Sequence, residues 1–253
     1  IINNYSFIYQ IILKDKQMSY LILVRHGQSV WNLEKKFTGW VDVDLTENGK
    51  LEAKKAGDLI KIQNIKIDLY YSSIQLRAIN TLNLIQNILN DKKNSNKAWQ
   101  LNERNYGALT GLNKEEMKNK LGENKVHQFR RSWDLRPDPL KRSNPYHPIN
   151  IKTYKEVPID KIPDTESLKD TYERVLEFYK KEIENKINKN NILISAHGNS
   201  IRALCKYLFK LNNKQISKLE IPTGNPLLIN TDNYKITSCK YLDNERAKDL
   251  LIF

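Results

Sequence analysis

Apolar residues fall along this chain in short blocks, separated by longer stretches with helical spacing. Leu21 to Val24 form the first block and predict a buried strand at 20–25. In "LTENGKLEAKKAGDLIKIQN", Thr46 can cap a helix whose apolar side would be Leu51, Ala56, Leu59 and Ile60. "IDLYYSS" (67–73) predicts a second strand, and Ile74, Ala78, Leu82, Ile85 and Leu89 follow it at helical spacing. Residues 114–134 read as helical and very polar. Six of the eight prolines lie in 137–163, which predicts a long irregular excursion, often a lid or binding loop. Another helix is expected from Thr165 to about Lys186. "NILISAHGNS" (191–200) reads as strand, turn and helix, with Ile201, Leu204, Cys205 and Leu208 facing inward. "NPLLINTD" and "KITSCKYLD" predict a final pair of short strands. Strands alternating with helices argue for an α/β fold of three layers, a mostly parallel central sheet flanked by helices.

No repeat, linker or low-complexity tract interrupts residues 18–253, so one catalytic-sized domain is expected there. Residues 1–17 read as an N-terminal extension ahead of Met18. Their apolar run has no basic residue before it and no small-residue cleavage site, so it is a poor signal peptide.

Composition narrows the classes. A chain with 40% hydrophobic and 28% charged residues is ordinary for a globular protein. It contains no run of 18 apolar residues, so no membrane partner is expected. Two cysteines, Cys205 and Cys239, cannot frame a chain of 253 residues with disulfides, which favours a reducing, cytoplasmic setting. The net charge of +13 would suit nucleic acid or small anions. The lysines are scattered, and no nucleic-acid-binding module is visible, so no nucleic-acid partner is expected.

Two strands end alike. "LVRHG" (23–27) and "ISAHG" (194–198) each place a histidine and a glycine just past an apolar run. The carboxyl ends of strands in open α/β sheets are where ligands bind. Glycine there lets backbone approach a ligand closely. These are two of only four histidines; His127 and His147 lack the setting and read as surface or loop residues. Arg25 ends a buried strand, where an unpaired guanidinium is costly, so an anion or carboxylate is expected beside it. Arg77 falls in the first turn of a helix, where the dipole disfavours a cation by up to about 1 kcal/mol and a bound anion would offset this. Two imidazoles and two guanidiniums suggest phosphoryl handling. A neutral imidazole can be the nucleophile, and a proton donor such as Glu103 in "LNERNYG" can assist the leaving oxygen. No residue cluster has metal-ligand spacing, so no metal is expected.

"LVRHGQSVWN", "FTGWVDVDLTENG", "SSIQLRA", "LNERNYGALTGLNK", "FRRSWD", "DTESLKDT", "SAHGNSIRAL" and "IPTGNPL" together resemble the cofactor-dependent phosphoglycerate mutases of the histidine phosphatase superfamily. The likeness runs from about residue 19 to about 243. It implies a glycolytic and gluconeogenic isomerase that interconverts 2-phosphoglycerate and 3-phosphoglycerate, primed by 2,3-bisphosphoglycerate and free of metal. By position, it implies that His26 becomes the phosphohistidine. Arg25, Arg77 and His197 would form the phosphate pocket, Asn32 a further phosphate contact, and Glu103 the general acid and base. Ser29, Thr38, Gly39, Tyr106, Lys114, Arg130, Arg131, Gly198 and Asn199 would bind the substrate, a small phosphorylated three-carbon acid. Homodimers or homotetramers are common among such relatives.

Two departures stand out. Asn105 replaces a histidine usual between the arginine and tyrosine of this motif. The family's long Lys- and Gly-rich carboxyl tail does not follow "DNERAKDLLIF", which implies a less sheltered phosphohistidine, with 137–163 left to do part of the covering. A phosphatase of the same superfamily is one competing reading; Lys114, Arg130 and Arg131 favour a small, doubly anionic substrate instead. A non-catalytic module that binds RNA is another, and the intact set His26, Arg77, Glu103 and His197 argues against it.

Overall fold

Leu21, Ile22, Leu23 and Val24 are all buried, so the strand that carries them has both faces covered. A strand of this kind belongs in the middle of a sheet. The computed structural model describes residues 18–247 of the chain. The extension 1–17 and the last six residues, 248–253, on which the reading of a short tail rests, lie outside the described residues.

The sheet has six strands: β1 (Ser19–Arg25), β2 (Leu69–Ser72), β3 (Ser95–Lys97), β4 (Ile192–Ala196), β5 (Leu227–Asp232) and β6 (Lys235–Tyr241). Their order is β3-β2-β4-β1-β5-β6. β1 to β4 run parallel, and β5 and β6 add an antiparallel hairpin at one edge. β3 was not expected, because Ser95, Asn96 and Lys97 carry no apolar alternation.

Eight α-helices occur among the described residues: α1 (Val30–Leu33), α2 (Glu47–Ile62), α3 (Leu76–Leu89), α4 (Lys114–Leu121), α5 (Glu123–Arg131), α6 (Leu168–Glu182), α7 (Gly198–Leu208) and α8 (Asn213–Lys218). α2 and α3 cover one face of the sheet. Ile22, Val24, Ala56, Ile60, Leu82 and Ile85 form the core there. α6 and α7 cover the other face, over Leu21, Leu23, Ile194, Val175, Tyr179 and Ile201.

Thr46 caps α2 as expected, its hydroxyl accepting the Gly49 N–H at 3.0 Å. The expected apolar side needs correction: Leu51 is 63% exposed, and the buried residues are Gly49, Ala53, Ala56, Gly57 and Ile60. The helix turns its small residues inward because α3 lies against them; a Cβ on Gly57 would fall 2.8 Å from Ile88 Cβ. The polar stretch 114–134 forms two helices, broken at Gly122 with φ +85°. Span 137–163 is irregular, with short 3-10 turns. His147 is a loop residue as expected but not a surface one: it is fully buried, and its Nε2 meets Asp164 Oδ1 at 3.0 Å, pinning this span. No helix among the described residues is long and apolar enough to cross a membrane.

Candidate active site

In the parallel pair β1/β4, Arg25 sits opposite Ala196. The next residue on each strand is a histidine, so His26 and His197 emerge side by side, their ring centroids 5.0 Å apart. β2 adds its own end: Ser72 pairs with Ser195, and Ser73 Oγ then reaches His197 Nε2 at 2.7 Å. The sheet thus delivers three residues to one point because three neighbouring strands end in register.

His26 is buried, and its Nδ1 hydrogen-bonds the Gly27 carbonyl at 2.7 Å. A carbonyl only accepts, so Nδ1 carries the proton and Nε2 keeps its lone pair. Burial, then Arg77 and Arg25, hold this imidazole well below the ordinary histidine range. It is therefore neutral near pH 7, the state a nucleophile needs. His197 is held down in the same way by burial, then Arg77 and His26, and its Nδ1 is buried without a partner.

Gly27 has a different reason from the one expected. A Cβ on it would lie 2.1 Å from the Gly49 carbonyl oxygen, so this glycine lets α2 approach the strand end rather than a ligand. Gly198 comes nearer to the expected role. A Cβ there would stand 3.6 Å from Arg25 Nε and 3.8 Å from Glu103 Oε2, filling the gap between them.

Arg25 gives one N–H to the Ile221 carbonyl at 2.8 Å, while its Nε is buried without a partner. Of the two partners expected beside it, an anion or a carboxylate, no carboxylate pairs with it among the described residues. Arg77 is buried and donates to the carbonyls of Val41 and Gly39, each at 2.9 Å, and to Gln75 Oε1 at 3.2 Å. Glu103 Oε1 accepts from the Arg104 N–H at 2.7 Å, Asn199 Nδ2 at 2.8 Å and the Asn199 N–H at 3.3 Å. Those bonds fix one carboxylate oxygen and leave Oε2 to face the gap at Gly198.

The profile of the histidine phosphatase superfamily (branch 1) matches this chain over residues 21–146 and 141–244. The chain belongs to that superfamily. A 2,3-bisphosphoglycerate-dependent phosphoglycerate mutase of Pelagibacter ubique is 70% identical over 238 residues, covering 93% of this chain and all of the relative. One of a Hydrogenobaculum species is 46% identical over 230 residues, covering 90% of this chain and 93% of the relative. The fold also matches solved structures. An α-ribazole phosphatase from Shigella flexneri gives a TM-score of 0.65 at 19% identity, covering 91% of this chain and 98% of that one. A mycobacterial glucosyl-3-phosphoglycerate phosphatase gives 0.62 at 21% identity, covering 83% and 92%.

A cleft of about 510 Å³ is lined by Arg25, Glu103, Tyr106, Arg130, Arg131, Gly198 and Asn199 of the expected set, whereas His26, Arg77, His197 and Lys114 do not line it. Tyr106 OH accepts from Asn199 Nδ2 at 3.1 Å. Arg131 pairs with Glu220 at 2.7 Å across the cleft wall. Lys114 donates to the Lys36 carbonyl, and its ammonium is pulled down to about 8 by burial, then by Arg130 and Arg25. Thr38 is buried beside Gly39, which adopts φ +55° and turns its carbonyl toward Arg77 and Gln75. Ser29 and Asn32 close a capping box at α1, with Asn32 Oδ1 accepting the Ser29 N–H at 3.2 Å. The Ser29 hydroxyl serves the cap, whereas Asn32 Nδ2 is outside it.

Sequence reasoning did not single out Ser73, Gln75 or Arg202. Gln75 is fully buried and joins Gly39, Arg77 and the Glu103 N–H, the last at 2.9 Å. Arg202, buried on α7, donates to Asn199 Oδ1 at 2.9 Å and is pulled down to about 9 by burial, then Arg131 and Arg104. Ser73 and Gln75 lie inside the quoted "SSIQLRA", and Arg202 inside "SAHGNSIRAL", so motif membership was the available signal. Among the described residues no group of acidic, histidine or cysteine side chains could hold a metal.

Proposed function

We propose that this chain interconverts 2-phosphoglycerate and 3-phosphoglycerate through a phosphohistidine on His26. The reaction is a glycolytic and gluconeogenic isomerisation, and the identity of 70% over the full length of a curated mutase supports it. The observation that carries the mechanism is the neutral, tautomer-fixed His26 in the field of the Arg77 and Arg25 guanidiniums.

Neutral His26 offers its Nε2 lone pair to phosphorus. Arg25, Arg77 and His197 surround the phosphoryl oxygens, where charge accumulates during transfer. Glu103 gives a proton through Oε2 to the leaving oxygen and takes one back in the reverse half-reaction. Asn199, held by Arg202, keeps Oε1 in place. Arg130, Arg131, Lys114 and Tyr106 hold the distant anionic groups of the substrate. The unpartnered Arg25 Nε and the gap at Gly198 fit a phosphoryl group, so these residues suit 2,3-bisphosphoglycerate as well as the monophosphates. When bound, 2,3-bisphosphoglycerate supplies the phosphoryl group that primes His26.

The test is an enolase-coupled assay with 3-phosphoglycerate, run with and without 2,3-bisphosphoglycerate. Turnover that rises with the bisphosphate supports the reading. Steady release of inorganic phosphate with no enolase product would instead make the chain a phosphatase. Glu103→Gln should cost about 10²–10⁴-fold in turnover.

A further inference from the structure

Glu103 stands on a loop, between the 3-10 turns Trp99–Leu101 and Gly107–Leu109. A catalytic side chain on a loop is only as well placed as its backbone. Here the backbone is gripped from below by one ion pair. Arg174 on α6 donates Nη1 to the carbonyls of Gln100 and Asn102, the latter at 3.0 Å, and Nη2 to the carbonyl of Glu103 at 3.0 Å. The same guanidinium forks onto Glu166, with Nε to Oε1 at 2.7 Å and Nη2 to Oε2 at 3.0 Å. Glu166 Oε2 then accepts the Asn105 N–H at 2.7 Å, and the Glu166 N–H returns to the Asn105 carbonyl at 3.0 Å. Every backbone group that the pair reaches belongs to residues 100–105. Arg174 is 9% exposed and Glu166 3%, and neither lines the cleft.

A buried ion pair is a poor device for stability alone, since apolar replacements of similar volume often do as well. This one spends its spare donors and acceptors on a single loop. We propose that Arg174 and Glu166 are positioning residues that fix Glu103 for proton transfer. The inference rests on reading Glu103 as the proton carrier.

A leaving-group comparison tests it. In transfer to the enzyme the His26 Nε2–P bond forms and the P–O bond breaks, with its electron pair leaving on oxygen. An alkoxide oxygen needs the Glu103 proton as it leaves. The p-nitrophenolate of p-nitrophenyl phosphate leaves as a stable anion and does not. Single-turnover release of p-nitrophenolate from the enzyme therefore reports on His26 and its arginines without Glu103.

Arg174→Lys keeps the charge and loses the fork. It should lower kcat for 3-phosphoglycerate by about 10²-fold, leave KM nearly unchanged, and lower p-nitrophenolate release by no more than about threefold. Glu166→Gln should show the same split, less steeply. Glu103→Gln is the reference. If it shows no split, the proton-carrier reading fails and this inference fails with it. If it shows the split and both Arg174→Lys and Glu166→Gln lose the two activities in proportion, or lose neither, the positioning role alone is overturned. Failure of both variants to fold, read by circular dichroism, would overturn it as well, because the pair would then serve stability.

Discussion

Lowering the pH from 7.5 to 5.5 should destabilise the fold through His26 and His197. The two imidazoles are 3% and 0% exposed, and burial, followed by Arg77, holds each well below the ordinary histidine value. In the unfolded chain each titrates near pH 6.5. A lowered folded pKa means that the unfolded chain binds more protons below about pH 6.5. Stability is therefore intact above that pH and falls as the pH drops toward the folded pKa values. Across this window each histidine costs on the order of 1 kcal/mol and the pair roughly twice that. Other shifted groups act elsewhere. Asp170 is held at about 2, where hydrogen bonds from Arg136 and Ser167 prevail over the opposing effect of burial, so its contribution is lost only under stronger acid. Lys114, lowered to about 8 by burial and its cationic neighbours, acts mainly above the window. Urea unfolding at the two pH values, in buffer without phosphate or sulfate, measures the loss. His26→Asn and His197→Asn should each remove about half of it and the double variant nearly all. An equal loss in the double variant and the parent would refute the assignment.

His26→Ala should abolish acid-labile labelling by 2,3-bisphosphoglycerate together with mutase activity; a phosphoenzyme that survives in the variant sinks the assignment. Activity should persist in EDTA, because Arg25 and Arg77 supply the positive charge; chelator-sensitive turnover restored by manganese would overturn that view. Glu220→Gln releases Arg131 from its ion pair, which on the proposed function competes with anionic substrate. It should lower KM for 3-phosphoglycerate by up to about fivefold, the worth of an exposed pair, and an unchanged or higher KM counts against the competition.

The strand ends were legible because an apolar run that stops at "RHG" or "AHG" changes character within one residue. Their meeting was legible only as far as parallel order is; the register Arg25–Ala196 and Ser72–Ser195 is a property of the folded sheet. Helix α2 misled because large apolar residues mark a core face in most helices, whereas this one buries glycine and alanine against α3 and leaves Leu51 in solvent. His147 misled for a related reason: its partner Asp164 lies across the irregular span, and no local pattern announces that contact. Ser73, Gln75, Arg174 and Glu166 are polar residues whose work is done at long range. Their types fit exposed positions equally well, so only the fold distinguishes them.

Arg77 joins these observations. In the sequence, a bound anion would offset the cost of a cation in the first turn of a helix. The structure gives this cation carbonyls and an amide oxygen. Those acceptors satisfy its hydrogen bonds, but dipoles do not cancel a charge. The field that remains is the second cause, after burial, that keeps both His26 and His197 neutral. One residue thus helps keep both imidazoles neutral and leaves a positive field that an anion could meet. An oxyanion in the gap at Gly198 would neutralise that field and let the imidazoles take up protons in the folded state. Inorganic phosphate should therefore flatten the acid loss of stability in the parent protein, beyond the pH-independent gain any ligand brings. If phosphate raises stability equally at pH 7.5 and 5.5, the field of Arg77 is not what holds the histidines neutral, and burial alone must do so.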